Sequence, residues 1–317
     1  MIVNFIGKIL YFFANIIPVK RTRKIIKAKI KWKYSHPYIA NYLKLNYITP
    51  YYQKNNQYHL EPKAIFENEK IIWQFWYQGE NEMPDIIKKC TQSVKRYMGE
   101  EYKIIILDKD TIKKYIDLPD FVVSKLENDF FGKKTTTFFS DLLRVALLSL
   151  YGGIWMDATI FLSGPINKDI LNKKFFIFTR SKNKPEDYIE WVLFNRNYFS
   201  WDEGFQVNML SSFLVAQKNS SEVSVIKDIL LEYWKKEKII RHYFIIQILF
   251  NILYDCKSAD EHNSDIVPHL LQKFSDQNFD QKLWNSIKTK TSIHKLTYFK
   301  NIRKNSLIDT VLSQSYE

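Results

Sequence analysis

Apolar residues recur at Ile2, Phe5, Ile6, Ile9, Phe12, Phe13 and Ile16, while Asn4, Lys8, Tyr11 and Asn15 fall mostly on the other side. That spacing predicts an amphipathic helix over residues 2–17, stopped by Pro18. A basic stretch over residues 20–33 follows, with Ile25, Ile26, Ile30 and Trp32 interleaved. From Lys70 the texture changes. Residues 71–75 and 103–107 read as strands, and between them Pro84 opens a helix that runs to about Met98. Residues 110–116 and 121–127 read as short helices, and 140–150 as a strongly apolar one. Tyr151-Gly152-Gly153 breaks that helix, and Ile154-Trp155-Met156 forms a short strand ending at Asp157. Residues 175–178 read as another strand. After about Lys182 the pattern turns helical, most clearly over 223–236 and 243–254. Strands alternating with helices predict an α/β layer with a mainly parallel sheet. No repeat or long linker divides it, so the expectation is a single Rossmann-type domain with a helical C-terminal half.

Charge changes this picture in one place. The chain has 47 Lys+Arg against 34 Asp+Glu over 317 residues, a formal +13. Residues 1–60 contain eleven of the bases and no acid, leaving 36 bases against 34 acids from Glu61 onward. The sequence therefore divides into a basic arm, 1–60, and a nearly neutral body, 61–317. A neutral body argues against nucleic acid as a partner, because it has no excess of bases for a phosphate-binding stripe. In the arm, residues 2–17 fall short of the roughly 20 apolar residues a bilayer span requires. A secretory signal is disfavoured, because the charges follow the apolar run and no small-residue cleavage site appears. An apolar helix followed by a polybasic segment suits an anionic membrane surface, which would put the protein at the inner face of the cell membrane. The alternative is a helix that packs on the body as ordinary core.

The apolar and aromatic content, 46% and 16%, excludes a disordered chain, and two cysteines exclude a disulfide scaffold. Cys90 and Cys256 read as free thiols of a reducing compartment. The histidines show no metal-binding spacing, His262 and His269 read as surface residues, and no GxSxG or phosphate loop occurs.

In open α/β sheets ligands bind beyond the carboxyl ends of strands, which draws attention to Asp157-Ala158-Thr159. Gly152-Gly153, the only such pair in the chain, permits close approach of a ligand or another backbone. Ser140, Asp141 and Arg144 fall in the predicted first turn of an otherwise apolar helix. Asp141 and Arg144 share one face, where they pair with each other or with ligand hydroxyls. The plainer reading makes Ser140 a helix cap and Arg144 a local ion-pair partner. Asp108-Lys109-Asp110, a literal DxD, reads more simply as a cap for the segment that follows it.

Phe139-Ser140-Asp141-Leu142-Leu143-Arg144, followed seven residues on by Tyr151-Gly152-Gly153-Ile154-Trp155-Met156-Asp157, resembles the capsular polysaccharide synthesis glycosyltransferases. These are related to the family 32 glycosyltransferases with a DxD sugar-binding region and, more distantly, to the glucosylating bacterial toxins. The likeness runs from about Lys70 to Ile166, with weaker echoes beyond. It implies a GT-A-like nucleotide-sugar domain that binds a UDP-hexose. Ile71 to Trp76 resembles the family's opening strand, with Gln74 at the nucleotide and Trp76 stacked on uracil. Ser140, Asp141 and Arg144 would hold the donor's ribose and sugar hydroxyls, and Tyr151, Gly153 and Trp155 would complete the donor site. Asp157 matches the first acid of the DxD region and would contact Mn²⁺ or Mg²⁺. His294-Lys295-Leu296-Thr297 resembles the family's Lys-Leu-Thr segment, which implies that Lys295 approaches the diphosphate. Asn208, Ser211 and Ser212 would stand near the acceptor or donor sugar.

Thr159 stands where the second acid would be, which weakens the case for tight metal binding. The family further implies retaining transfer of Gal or Glc to an undecaprenyl-diphosphate-linked acceptor during bacterial capsule or surface polysaccharide synthesis. Two other readings remain open on the sequence: a catalytically silent assembly scaffold, and a membrane-surface binding protein.

Overall fold

The computed structural model describes residues 2–54, 57–67, 69–258, 260–298 and 301–314. Among them, strands form where β-branched and aromatic residues cluster. They are β1 (Lys70–Phe75), β2 (Tyr102–Leu107), β3 (Gly153–Met156), β4 (Ile160–Leu162), β5 (Phe175–Ser181), β6 (Met209–Ala216), β7 (Lys257–Ser258) and β8 (Ile293–Lys295). The chain divides into two compact units: residues 1–56, 179–209 and 240–261 make one, and 57–178, 210–239 and 262–317 the other. The basic arm thus belongs to a unit that also draws on two later segments of the chain.

The larger unit contains the α/β layer. β1 lies between β2 and β3 and runs parallel to both, with Trp73 opposite Ile105 on one side and Trp155 on the other. β3 continues into an antiparallel pairing with β6, Met156 opposite Phe213. A separate ribbon pairs β4 with β8, Ile160 opposite Lys295. This is the mixed, mainly parallel α/β architecture expected of a GT-A-like domain. Two apolar clusters hold it. Ile72, Ile154, Met156, Phe178, Phe213 and Ile293 are among the buried members of the first, and Ile87, Cys90, Phe161, Leu296 and Leu307 among those of the second. Their burial is the main stabilising force.

Gly152 and Gly153 have φ of +71° and +99°. A Cβ on Gly153 would come within 2.5 Å of the Ile71 carbonyl oxygen, and one on Gly152 within 2.5 Å of the Lys218 nitrogen. The pair therefore lets neighbouring backbone approach, rather than a ligand.

The apolar helix is longer than its pattern predicts, Thr135–Tyr151 instead of 140–150. Three consecutive threonines are poor helix formers, and the apolar pattern begins only after them. The Thr135 hydroxyl offsets this by donating to the Gly132 carbonyl at 2.8 Å and accepting from the Phe131 amide at 3.0 Å. Ser140 consequently lies more than a turn inside the helix and does not cap it. Residues 110–116 form only a 3₁₀ turn, Ile112–Lys114. There Asp108 Oδ1 accepts from the amides of Asp110 and Thr111 and from the Thr111 hydroxyl, which is the capping role read from the sequence.

In the smaller unit the Ile2–Phe13 helix lies against the Lys20–Leu43 helix. Small residues make the approach: Gly7 is buried, and a Cβ there would meet Tyr34 Cβ at 2.9 Å. Ala14 is buried as well. The bulky residues are left outside, with Phe12 70%, Phe13 56%, Ile16 73% and Val19 58% exposed, and Ile6, Ile9 and Leu10 exposed to a lesser degree, 40–42%. The side chains of Ile2, Asn4, Phe5 and Lys8 lie outside the described residues. Trp32 anchors the longer helix, its indole donating to the Arg196 carbonyl at 2.9 Å. No helix among the described residues is long and apolar enough to cross a membrane.

Candidate active site

Asp157 follows β3 directly, and its amide donates to the Ser212 carbonyl at 2.8 Å, so the β3–β6 pairing fixes its position. Its side chain meets four groups. Trp155 Nε1 donates to Oδ1 at 2.8 Å, and Arg144 Nη2 lies 3.3 Å from the same oxygen. Lys295 Nζ is 3.8 Å from Oδ2, and the Ser212 side chain supplies a further hydrogen bond.

Arg144 comes from the middle of the Thr135–Tyr151 helix, with only 5% of its side chain exposed. Besides Asp157 it reaches Asp141 Oδ1 at 3.2 Å, the Ser211 carbonyl at 2.5 Å, and both the carbonyl and the hydroxyl of Ser140 at 3.2 Å. It also lies over the Trp155 ring, 5.4 Å from the centroid. A planar guanidinium can serve so many acceptors at once where an ammonium cannot.

Lys295 arrives from the other side. The β4–β8 ribbon sets it opposite Ile160, and the Leu296 amide donates to the Thr159 carbonyl at 2.9 Å. From there Lys295 Nζ donates to the Thr159 hydroxyl.

These placements separate two carboxylates by environment. Burial works against charge on Asp157, but Arg144, then Lys295, and the Trp155 and Ser212 hydrogen bonds hold its carboxyl below the usual range. Asp141 is pushed up to about 7, by burial first and the neighbouring Asp157 charge second, against the pull of Arg144. Lys295 is lowered by burial, with Asp157 opposing that shift and Arg144 adding to it. Asp157 is therefore the permanent anion of the cluster, while Asp141 changes charge near neutrality.

Because the folded pKa of Asp141 lies above its unfolded value, its stabilising contribution is present below about pH 4 and is lost as pH rises through about 7. An Asp141→Asn variant has no such loss. Its melting temperature relative to the unchanged protein should therefore rise between pH 5.5 and pH 8, as thermal denaturation at the two values would show.

The donor set does not fit the Mn²⁺ or Mg²⁺ expected at Asp157. A hard divalent ion takes six or more oxygens with carboxylates among them. Here Arg144 and Lys295 face the two oxygens of Asp157, and the Thr159 hydroxyl accepts from Lys295. Among the described residues no three His, Cys, Asp or Glu side chains come together as a metal site.

Of the residues singled out in the sequence, Ser140, Asp141, Arg144, Trp155, Asp157 and Lys295 converge. Gln74 lies near the end of the adjacent strand β1, and Trp76 follows that strand directly. Gln74 is fully buried with neither side-chain amide atom hydrogen-bonded, and Trp76 Nε1 is likewise unpaired. Trp76 faces Tyr298, ring centroids 5.7 Å apart, and packs on the cluster that contains Ala158 and Leu296.

Tyr151 and Gly153 do not join them. Gly153 begins the strand whose far end carries Asp157, roughly 13 Å away at the usual strand rise. The Tyr151 hydroxyl donates to the Tyr115 carbonyl at 2.5 Å and accepts from the Lys63 and Ala64 amides, which makes it a structural tether. Asn208 is engaged elsewhere, its amide donating to the Phe205 carbonyl and to Asn251. Ser211 contributes through its carbonyl, and Ser212 through both its carbonyl and its side chain. Thr159, which the sequence offered only as a missing acid, holds Lys295. His269 is buried against the Asp265 carbonyl rather than on the surface. Cys90 is buried too, its thiol pushed up to about 12, so it is unreactive.

Comparison with known proteins gives glycosyltransferases. O-glycosyltransferase braB of Annulohypoxylon truncatum is 24% identical over 209 residues, 64% of this chain and 47% of its own length. O-glycosyltransferase PaGT of Phomopsis amygdali is 29% identical over 105 residues, 31% of this chain and 25% of its own. The chain thus spans about half or less of the curated relatives it matches. Among solved structures, the glycosyltransferase GlyE in Streptococcus pneumoniae TIGR4 aligns over 78% of this chain and 60% of its own, with a TM-score of 0.44 and 13% identity. A family profile described as capsular polysaccharide synthesis protein matches residues 21–314. With nearly its whole length matched, the chain belongs to the capsular polysaccharide synthesis protein family.

Proposed function

We propose that the chain is a glycosyltransferase that moves a hexose, Gal or Glc, from a UDP-sugar to a hydroxyl of an undecaprenyl-diphosphate-linked acceptor, with retention at the anomeric carbon. The observation that carries this is Asp157, clamped between Arg144 and Lys295 beyond the end of a parallel strand, in a family whose matched relatives are named glycosyltransferases.

In the transfer, the bond from the anomeric carbon to the diphosphate oxygen breaks and its electron pair leaves with UDP. A new bond forms to the acceptor oxygen, whose proton passes to the departing diphosphate. The chemical difficulty is the charge that develops on both fragments, and preorganised charges meet it best. Lys295 and Arg144 offset the leaving group, while Asp141 and Ser140 orient sugar hydroxyls. The unpaired amide of Gln74 offers hydrogen bonds to the nucleotide, and Trp76 offers a face for uracil. A panel of UDP-hexoses, with released UDP and product anomer read by NMR, tests the reading. Absence of turnover with every donor, together with absence of a thermal shift with UDP, would overturn it, and an inverted product would refute retention.

The same reading puts the enzyme on the anionic inner face of the cell membrane. Phe12, Phe13, Ile16 and Val19 form an exposed apolar patch next to the basic Lys20–Leu43 helix, and patches of this kind mark interaction surfaces. Vesicles of phosphatidylglycerol should pellet the protein, less so at high salt or after Phe12→Ser with Phe13→Ser, whereas phosphatidylcholine should not. No pelleting at physiological salt would refute membrane docking.

A further inference from the structure

The Asp157-Ala158-Thr159 loop is where a bound divalent cation would be expected, and a side chain of the protein already stands against it. Lys295 Nζ lies 3.8 Å from Asp157 Oδ2 and donates to the Thr159 hydroxyl, so it meets the first and third residues of the loop together. Its position is not left to a flexible stem alone. The β4–β8 pairing sets Lys295 opposite Ile160, and the Leu296 amide is bonded to the Thr159 carbonyl. Arg144 lies 3.3 Å from the other Asp157 oxygen. A divalent ion entering at Asp157 would have to displace one of these cations and then remain beside it.

We infer that Lys295 is a built-in cation that takes the place of a metal ion, and that the protein binds and activates its nucleoside-diphosphate donor without a divalent metal. This rests on the proposed UDP-sugar reading and assigns the cation of that site. The Lys295 ammonium acts as a fixed charge beside Asp157. It offsets the negative charge that accumulates on the diphosphate as the bond to the sugar breaks, and it neither gives nor takes a proton. Thr159 is part of the same device: an acid there would attract a metal, whereas a hydroxyl accepts the lysine and leaves the site short of anionic ligands.

The test is calorimetric titration of the full-length protein with UDP, in EDTA and again with 1 mM Mn²⁺, alongside turnover of the best UDP-hexose under both conditions. UDP affinity and turnover should agree within about twofold between EDTA and Mn²⁺. Lys295→Met should weaken UDP binding about tenfold or more, the loss expected of one charge-assisted contact, and Mn²⁺ should not rescue it. Thermal melting of each variant establishes that it folds. The double variant Lys295→Met with Thr159→Asp should recover UDP affinity in Mn²⁺ but not in EDTA, because it exchanges the ammonium for a second carboxylate. UDP binding by the unchanged protein that is lost in EDTA and restored by Mn²⁺ would overturn this inference while leaving the transferase reading intact. No UDP binding under either condition would overturn the donor reading itself, and the inference with it.

Discussion

Transfer by Asp157→Ala should fall by about 10³-fold, at the upper end of what loss of one preorganised electrostatic group produces. The size follows from the position of Asp157 at the centre of the cluster. Its carboxylate is the shared partner of Arg144, Lys295, Trp155 and Ser212. Without it Arg144 turns wholly to Asp141, and Lys295 retains only the Thr159 hydroxyl. Both cations then lose the geometry that aims them, so the leaving group meets misplaced charge. Asp110→Ala is the matching control, because it removes the other literal DxD acid and should leave turnover within about twofold. Asp108→Ala removes a cap instead and should lower stability by about 1 kcal/mol without touching the chemistry. Strong loss with Asp110→Ala and little with Asp157→Ala would refute the assignment of the site.

Arg144→Met carries the largest expected loss of stability. The guanidinium links Ser140, Asp141, Asp157 and Ser211, which belong to a helix, a strand end and a neighbouring strand. Its removal leaves two carboxylates and two backbone acceptors in a nearly dry environment. Breaking a buried pair on one side costs about 3–5 kcal/mol, which for a chain of this size is a fall of roughly 6–15 °C in the melting temperature. Arg144→Lys should recover only a small part of this, because an ammonium cannot reach the Ser211 carbonyl and both acids from one point. Urea denaturation of the two variants measures the difference. Equal stability of Arg144→Met and the unchanged protein would show that the cluster contributes nothing to folding.

The part of the site written in short range was legible in the sequence. Helix, glycine break and strand follow one another between Phe139 and Asp157, so the pattern marks Arg144 and Asp157 as candidates and the family resemblance gives them a role. Direction along the strand was harder to judge. Tyr151 and Gly153 are close to Asp157 in the motif, yet they stand at the opposite end of the strand, and a motif records order but not distance. The threonines at 135–137 hid the first turn of the helix, because intrinsic propensity disfavours what the Thr135 hydroxyl makes possible. The bond from Lys295 to Thr159 was least visible. It joins residues 136 positions apart, and nothing in local pattern relates them until the β4–β8 register is known.

That register also decides how the site is completed along the chain. Every other residue of the cluster precedes position 213, whereas the last charge comes from β8, the last strand among the described residues. The pairings that place Asp157, β1 with β3 and β3 with β6, do not involve β8, and the ammonium joins them only through the β4–β8 ribbon. Without that ribbon the cluster would hold two carboxylates, Asp141 and Asp157, against a single guanidinium, so the pairing of two short strands sets the charge balance of the whole site.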